Sequence, residues 1–229
     1  MLAARVIRSV PAAHASAWYA EAMRLWKRGP VVFTLLALIV LAVNLLLNLL
    51  PVAGVALAQV VLPLLECGLL YACLAADRGD RPRLSHLFAF VGAPWRAQAA
   101  VVAAGLLIFA VQALVAQGFG GINLLTPANA ADPISGGALV VTYAAGIAVS
   151  LPLTYVPFAA LFDGAGFRRA FAQSAEAFTR NLRPLVVYGA LSLALLLLGL
   201  ATSGLGLLLA LPWSAAASYA SWKDVFDVS

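Results

Sequence analysis

The sequence predicts an all-α fold, a polytopic bundle of transmembrane helices. Three observations carry this. Of 229 residues, 64% are hydrophobic and 10% are charged, whereas soluble domains carry about 25% charged residues. The apolar residues fall in long runs that a soluble core does not need. The charges sit in short clusters between those runs. So few charges could not cover a soluble surface of this size, and the apolar surplus is expected to face lipid.

The first span is expected over 31–50, twenty residues without a charge. That length matches a hydrocarbon core of about 30 Å at about 1.5 Å rise per residue. Pro51 and Gly54 predict a tight turn into a second span over 52–76, which contains Pro63 and Glu66. A polar connection runs from Asp77 to Arg83. The third span is expected over 99–116. A Gly- and Pro-containing segment over 117–137, with Asp132 as its single charge, follows. The fourth span, 138–162, is interrupted by Pro152 and Pro157. After a polar helical segment over 166–183, spans five and six are expected over 185–201 and 205–222. Residues 1–229 thus read as a single integral membrane domain.

Basic residues set the orientation. All 14 Lys and Arg residues lie in the first tail, in 77–98, in 163–183 or near the last span's end. The other three connections hold none. Basic residues stay cytoplasmic, so both termini are expected in the cytoplasm, and an odd number of spans would split the set. Arg5, Arg8 and an Ala-His-Ala-Ser stretch mimic the flanks of a signal peptide. The apolar region that cleavage needs is missing, so residues 1–17 read as a short cytoplasmic tail. The net charge of +5, clustered between apolar runs, points to anionic membrane lipid rather than nucleic acid.

The chain also suggests three degenerate helix-hairpin units over 16–77, 85–163 and 166–224. Each has an amphipathic cytoplasmic helix, a proline (Pro30, Pro94, Pro184), an outward span, and a return span ending at Asp77, Asp163 or Asp224. A proline suits the first turn of a helix, where its missing N–H costs nothing. On the first amphipathic piece Trp18 and Trp26 share an apolar face, with Arg28 on the polar one. On the third, Phe167, Phe171 and Phe178 oppose Arg180. An aromatic stripe with a basic polar face suits the headgroup boundary. It could anchor the span ends or engage lipid or a partner.

Chemistry-bearing residues are sparse. Glu66 is the one charged residue well inside a span, about 16 Å from its cytoplasmic end. A charge at that depth costs about 3 kcal/mol or more. Asn44, Gln59, Gln112, Ser150 and Ser214 lie at similar depth and predict either a structural hydrogen-bond cluster or a polar transport layer. Cys67 and Cys73 are six residues apart in one run and read as small core hydrophobes. Ser214, Ala217, Ser218 and Ser221 read as a small packing face. The two histidines, His14 and His86, lie outside the spans. There is no H-E-x-x-H and no Gly-rich phosphate loop, so no catalytic residue, metal or cofactor is expected. Asp77, Asp163 and Asp224 read as interfacial end-caps or ion pairs rather than as metal ligands.

Three stretches carry a resemblance. They are Ala22-x-x-Leu25-Trp26-Lys27-Arg28-Gly29-Pro30, Leu70 to Gly79 with the following Leu87-Phe88, and Ser218 to Phe226. In these the chain resembles an uncharacterised proteobacterial family of six-helix inner-membrane proteins. That family is similar to YciC-like proteins and to the membrane domain attached to some glycerophosphodiester phosphodiesterases. The resemblance implies a bacterial inner-membrane location and brings no catalytic residues. The phosphodiesterase barrel is not present, so its chemistry does not carry over, and Glu66 is not among the resembling residues.

The expected function is therefore non-enzymatic, with membrane lipids, another membrane protein or a second copy as partners. The alternative is a small transporter or channel around Glu66, with Pro63, Pro152, Pro157 and Pro212 marking breaks along a cavity. Reporter fusions test the orientation. A periplasm-dependent enzyme inserted within 117–137 or after Gly204 should be active, and one inserted after Asp77 inactive. The reverse pattern would reject the assignment.

Overall fold

The protein's structure is a computed structural model, and it describes residues 6–50, 52–125 and 135–228. Arg5, Pro51 and Asp132 lie outside these residues. The described chain is helical and contains no strand. Helix α1 spans His14–Trp26, α2 Pro30–Asn48 and α3 Ala53–Asp77. A 3₁₀ stretch, Leu84–Gly92, leads into α4, Trp95–Gly120. Then come α5 (Gly136–Ser150), α6 (Phe167–Arg180), α7 (Leu182–Ala201) and α8 (Leu207–Val225).

Five helical elements are long and apolar enough to cross a membrane: α2, α3, α4, the composite Gly136–Phe162 and α7. They coincide with five of the six expected spans, although α4 runs longer than 99–116 at both ends. Helix α8 has 19 residues but is less apolar. It carries Pro212, three serines, two tryptophans, Lys223 and Asp224. Its surroundings explain why. It packs against α1, α2, α3 and α7, and most of its second half is buried. A helix enclosed by protein has no need of an apolar surface for lipid.

The fourth element is not one regular helix. Pro152 and Pro157 remove two N–H donors, and the backbone rewinds through a 3₁₀ turn at Leu151–Leu153 and a π turn at Phe158–Phe162. Buried Ser174 of α6 serves the break from outside. Its hydroxyl accepts from the Tyr155 N–H at 3.0 Å and donates to the Pro152 carbonyl at 2.7 Å. The three amphipathic pieces also differ locally, since the second is the 3₁₀ stretch while the first and third are α-helices.

The helices α3, α4, α5, α7 and α8 contact one another in a closed order, each touching the next and α8 returning to α3. Helix α2 packs outside this ring against α3 and α8. Aromatic and branched side chains fill the basic end, with Tyr155, Phe158, Tyr219 and Trp222 all at 2% exposure or less. Close approach there depends on missing side chains. A methyl carbon on Gly68 would lie 2.6 Å from the Leu87 Cα, so the 3₁₀ stretch rests directly on α3. On Gly146 it would lie 2.1 Å from the Gln112 Nε2, where α4 meets α5. Gly68→Ala should therefore destabilise the protein by about 1–3 kcal/mol. Gly118→Ala, where nothing lies within 4 Å, should leave stability unchanged or slightly raised. Thermal unfolding in detergent compares the two.

Candidate functional site

Helix α3 ends at Asp77 and delivers its carboxylate among three helices. Asp77 Oδ2 accepts from Lys223 Nζ at 2.6 Å and from the Tyr219 hydroxyl at 3.0 Å. Oδ1 accepts from Arg24 Nη2 at 3.2 Å. Tyr219 and Lys223 are four residues apart on α8 and so share a face. Arg24 also grips Glu21, one turn earlier on α1. The hydrogen bonds that Arg24 donates to Glu21, then the Glu21 charge and the bond it donates to Asp77, hold its guanidinium charged well above its usual range against the effect of burial.

A second clasp sits beside the first. Asp224 Oδ2 accepts from Trp18 Nε1 at 2.9 Å and lies 2.7 Å from His14 Nδ1. Arg8 pairs with Asp227 at 2.5 Å, and the Arg28 guanidinium donates to the Ala76 carbonyl at 2.7 Å. Asp77 and Asp224 thus act as the paired end groups that their positions predict. The other histidine, His86, takes the Arg83 N–H on Nδ1 at 3.1 Å. Partial burial and the neighbouring Arg83 hold His86 below the usual imidazole range.

Next to the Asp77 clasp lies a cavity of about 280 Å³. Its lining is largely apolar and aromatic, with Tyr71, Leu74, Leu161, Phe162 and Trp222. Those rings are fixed by their neighbours. Tyr71 meets Phe162 edge-on at 5.0 Å, and Trp222 stacks on Phe158 at 5.1 Å. The charged part of the lining is Asp77, Arg78 and Lys223. Counting the Arg24–Glu21 pair behind Asp77, this charged region holds Arg24, Arg78 and Lys223 against Glu21 and Asp77, an excess of positive charge. Arg78 is exposed and lines this cavity.

The expected aromatic surface is rearranged. Trp18 is 3% exposed and turned inward against α8, and Trp26 and Phe178 are half-buried against the same core. Trp18 is covered because α8 supplies protein for the apolar face of α1, while Trp26 and Phe178 keep part of their surface open. Phe171 is half-buried and stacks on Phe167 at 5.0 Å, which remains 43% exposed. Arg180 pairs with Glu176 at 2.7 Å. Further outward side chains lie on the 3₁₀ stretch and its exit, where the aromatics Phe88 and Trp95 and the intervening Val91 are 60–72% exposed. The 4-3-4 spacing of Leu84, Phe88, Val91 and Trp95 between Arg83 and Arg96 is the sequence signal for them.

The expected polar layer at mid-depth is not a connected cluster. Asn44 is satisfied within α2, accepting from Asn48 Nδ2 at 2.6 Å. Gln112 packs on Gly146. Among the described residues no side-chain hydrogen bond joins Glu66 to Asn44, Gln59 or Gln112.

Compared with known protein families, curated proteins and solved structures, the chain matches none. The fold itself defines the class, an all-helical bundle with five elements suited to crossing a membrane. Asp77→Asn keeps the Tyr219 contact and removes the charge that holds Lys223 and Arg24. It should destabilise the protein by about 1–3 kcal/mol, with Lys223→Met non-additive to it. A double-mutant cycle by thermal unfolding measures the coupling, and full additivity would show that the pair contributes nothing.

Proposed function

We propose that the protein is a non-enzymatic, six-span protein of the bacterial inner membrane that holds an anionic phospholipid headgroup at its cytoplasmic surface. Helix α8 is the sixth span, antiparallel to α7 and enclosed by the others. Both termini are cytoplasmic, and the six spans form three related hairpins.

One observation carries the lipid reading, the composition of the cavity beside Asp77. Its lining joins aromatic and aliphatic side chains to two cations, Arg78 and Lys223, and one carboxylate, Asp77. A phospholipid presents the same two chemistries, an apolar acyl chain and an anionic phosphate. Arg and Lys in the lining suit a phosphate by charge-assisted hydrogen bonds. Two nearby surfaces support the same depth. Exposed Phe88, Val91 and Trp95 are flanked by exposed Arg83 and Arg96, and exposed Phe167 is followed by Arg168 and Arg169. Such aromatic-basic belts sit where headgroups meet acyl chains.

Native mass spectrometry of the full chain, purified with phosphatidylglycerol or phosphatidylcholine, tests this. Phosphatidylglycerol should be retained preferentially. Arg78→Gln, which spares the Asp77 clasp, and Leu161→Trp, which fills the cavity, should each weaken retention about tenfold. Equal retention of the two lipids, or retention unchanged in both variants, would overturn the proposal.

A further inference from the structure

The connection between α3 and α4 dips below the end of the bundle and returns. Pro82 marks its upper level. A methyl carbon on Gly29, the residue before α2, would lie 3.1 Å from the Pro82 Cγ. Arg28, one residue earlier, donates to the Ala76 carbonyl, so Pro82 stands level with the end of α3. Leu87 marks the lower level. Its Cα rests on Gly68, which precedes Asp77 by nine residues, about 13 Å along α3. Five residues thus carry the chain from the level of Asp77 to well inside it. The chain then climbs. Gly105 of α4 meets Pro63 of α3. Helix α3 runs about 21 Å from Pro63 to Asp77, and α4 about 15 Å from Gly105 back to Trp95. Trp95 therefore stands about 6 Å below Asp77, above the Leu87 contact.

The segment has two faces. Side chains three apart eclipse on a 3₁₀ helix. Leu87 and Phe90 turn toward the bundle, the first buried and the second partly so. Phe88 and Val91 turn away and are 60% and 65% exposed. The twelve residues between Arg83 and Arg96 include no Asp, Glu, Lys or Arg. Backbone groups at both ends of the 3₁₀ stretch find partners nearby. His86 Nδ1 accepts from the Arg83 N–H at 3.1 Å. The Ala93 N–H donates to the Phe90 carbonyl at 2.9 Å, and the Gln98 side-chain amide donates to the Ala93 carbonyl at 3.0 Å. Hydrocarbon requires such internal pairing, because it offers no partner.

Depth decides what meets the outer face. Helix α3 has 25 residues, a length of about 37 Å against about 30 Å of hydrocarbon. Asp77 then lies about 4 Å outside the hydrocarbon, and the Leu87 contact about 10 Å within it. We infer that residues 84–92 form a re-entrant segment embedded in the cytoplasmic leaflet, with Phe88 and Val91 among its acyl chains. Arg83 and Arg96 meet the headgroups where the segment enters and leaves. The inner side of the 3₁₀ helix rests on α3 and α2, so its outer side alone faces lipid. The inference rests on the membrane-spanning reading and is independent of the cavity beside Asp77.

Bimane attached to single introduced cysteines tests this, with the full chain in nanodiscs of phosphatidylglycerol and phosphatidylcholine. The unsubstituted chain, whose Cys67 and Cys73 are buried, is the blank. Labels at Phe88→Cys and Val91→Cys should be quenched by lipids carrying a nitroxide on the acyl chain. Aqueous iodide should quench a label at Arg81→Cys at least about tenfold more than at either, because an ion enters hydrocarbon poorly. Leu45→Cys, on the exposed face of α2, should behave as Phe88→Cys does. Iodide quenching at Phe88 equal to that at Arg81, with Leu45 protected, would overturn the re-entrant segment alone. Iodide quenching at Leu45 as well would overturn the membrane-spanning reading and the inference with it. A label at Phe88 reached by neither quencher would show protein covering that face, and would overturn the lipid contact.

Discussion

Asp77 is the constraint on which the basic end of the bundle depends. Its carboxylate joins the end of α3 to Arg24 of α1 and to Tyr219 and Lys223 of α8. Removing one partner would leave a partly buried charge uncompensated, which costs more than the pair contributes in isolation. The cavity is a by-product of the same arrangement. Tyr219 and Lys223 must face Asp77, so Trp222 turns toward Phe158 and Phe162, and the space between α3 and α8 stays open at its outer edge.

Helix α8 shows how burial changes what a membrane helix needs. The elements long and apolar enough to cross a membrane expose rows of Leu, such as Leu45 and Leu46 at the end of α2 or Leu106, Leu107 and Leu114 on α4. Helix α8 instead buries Ala216, Ala217, Ala220 and Ser221, small side chains that let neighbours approach. Its tryptophans and tyrosine then fill the remaining volume. The cost is lower hydropathy, which is why α8 falls outside the elements selected by length and apolarity alone.

What the sequence reveals depends on the range of the interaction involved. The apolar runs are local, so 31–50 and 52–76 lie within two residues of α2 and α3. The proline breaks in 138–162 are legible, but the 3₁₀ and π turns that absorb them depend on Ser174 of another helix. The end positions of Asp77 and Asp224 are visible as pattern. Their partners are not, because Lys223 lies 146 residues from Asp77 and Trp18 lies 206 from Asp224. The inward turn of Trp18 could not be read from α1 alone, since lipid and protein both accept an aromatic face. Glu66 is similar. Its depth follows from counting residues, while its exposure between buried neighbours follows only from the folded arrangement.

The two clasps also bear on the order in which the molecule is made. Trp18, His14 and Arg24 belong to α1, and Tyr219, Lys223 and Asp224 belong to α8, which is synthesised about 200 residues later. During vectorial synthesis α1 has its aromatic face ready long before α8 exists to receive it. The Asp77 carboxylate waits through the same interval for two of its three partners. Closure of the basic end is thus a record that translation has reached residue 224. A chain stalled before that point would present unpaired polar groups and an uncovered tryptophan face at the membrane surface, a molecular mark by which quality control could distinguish it from the finished protein.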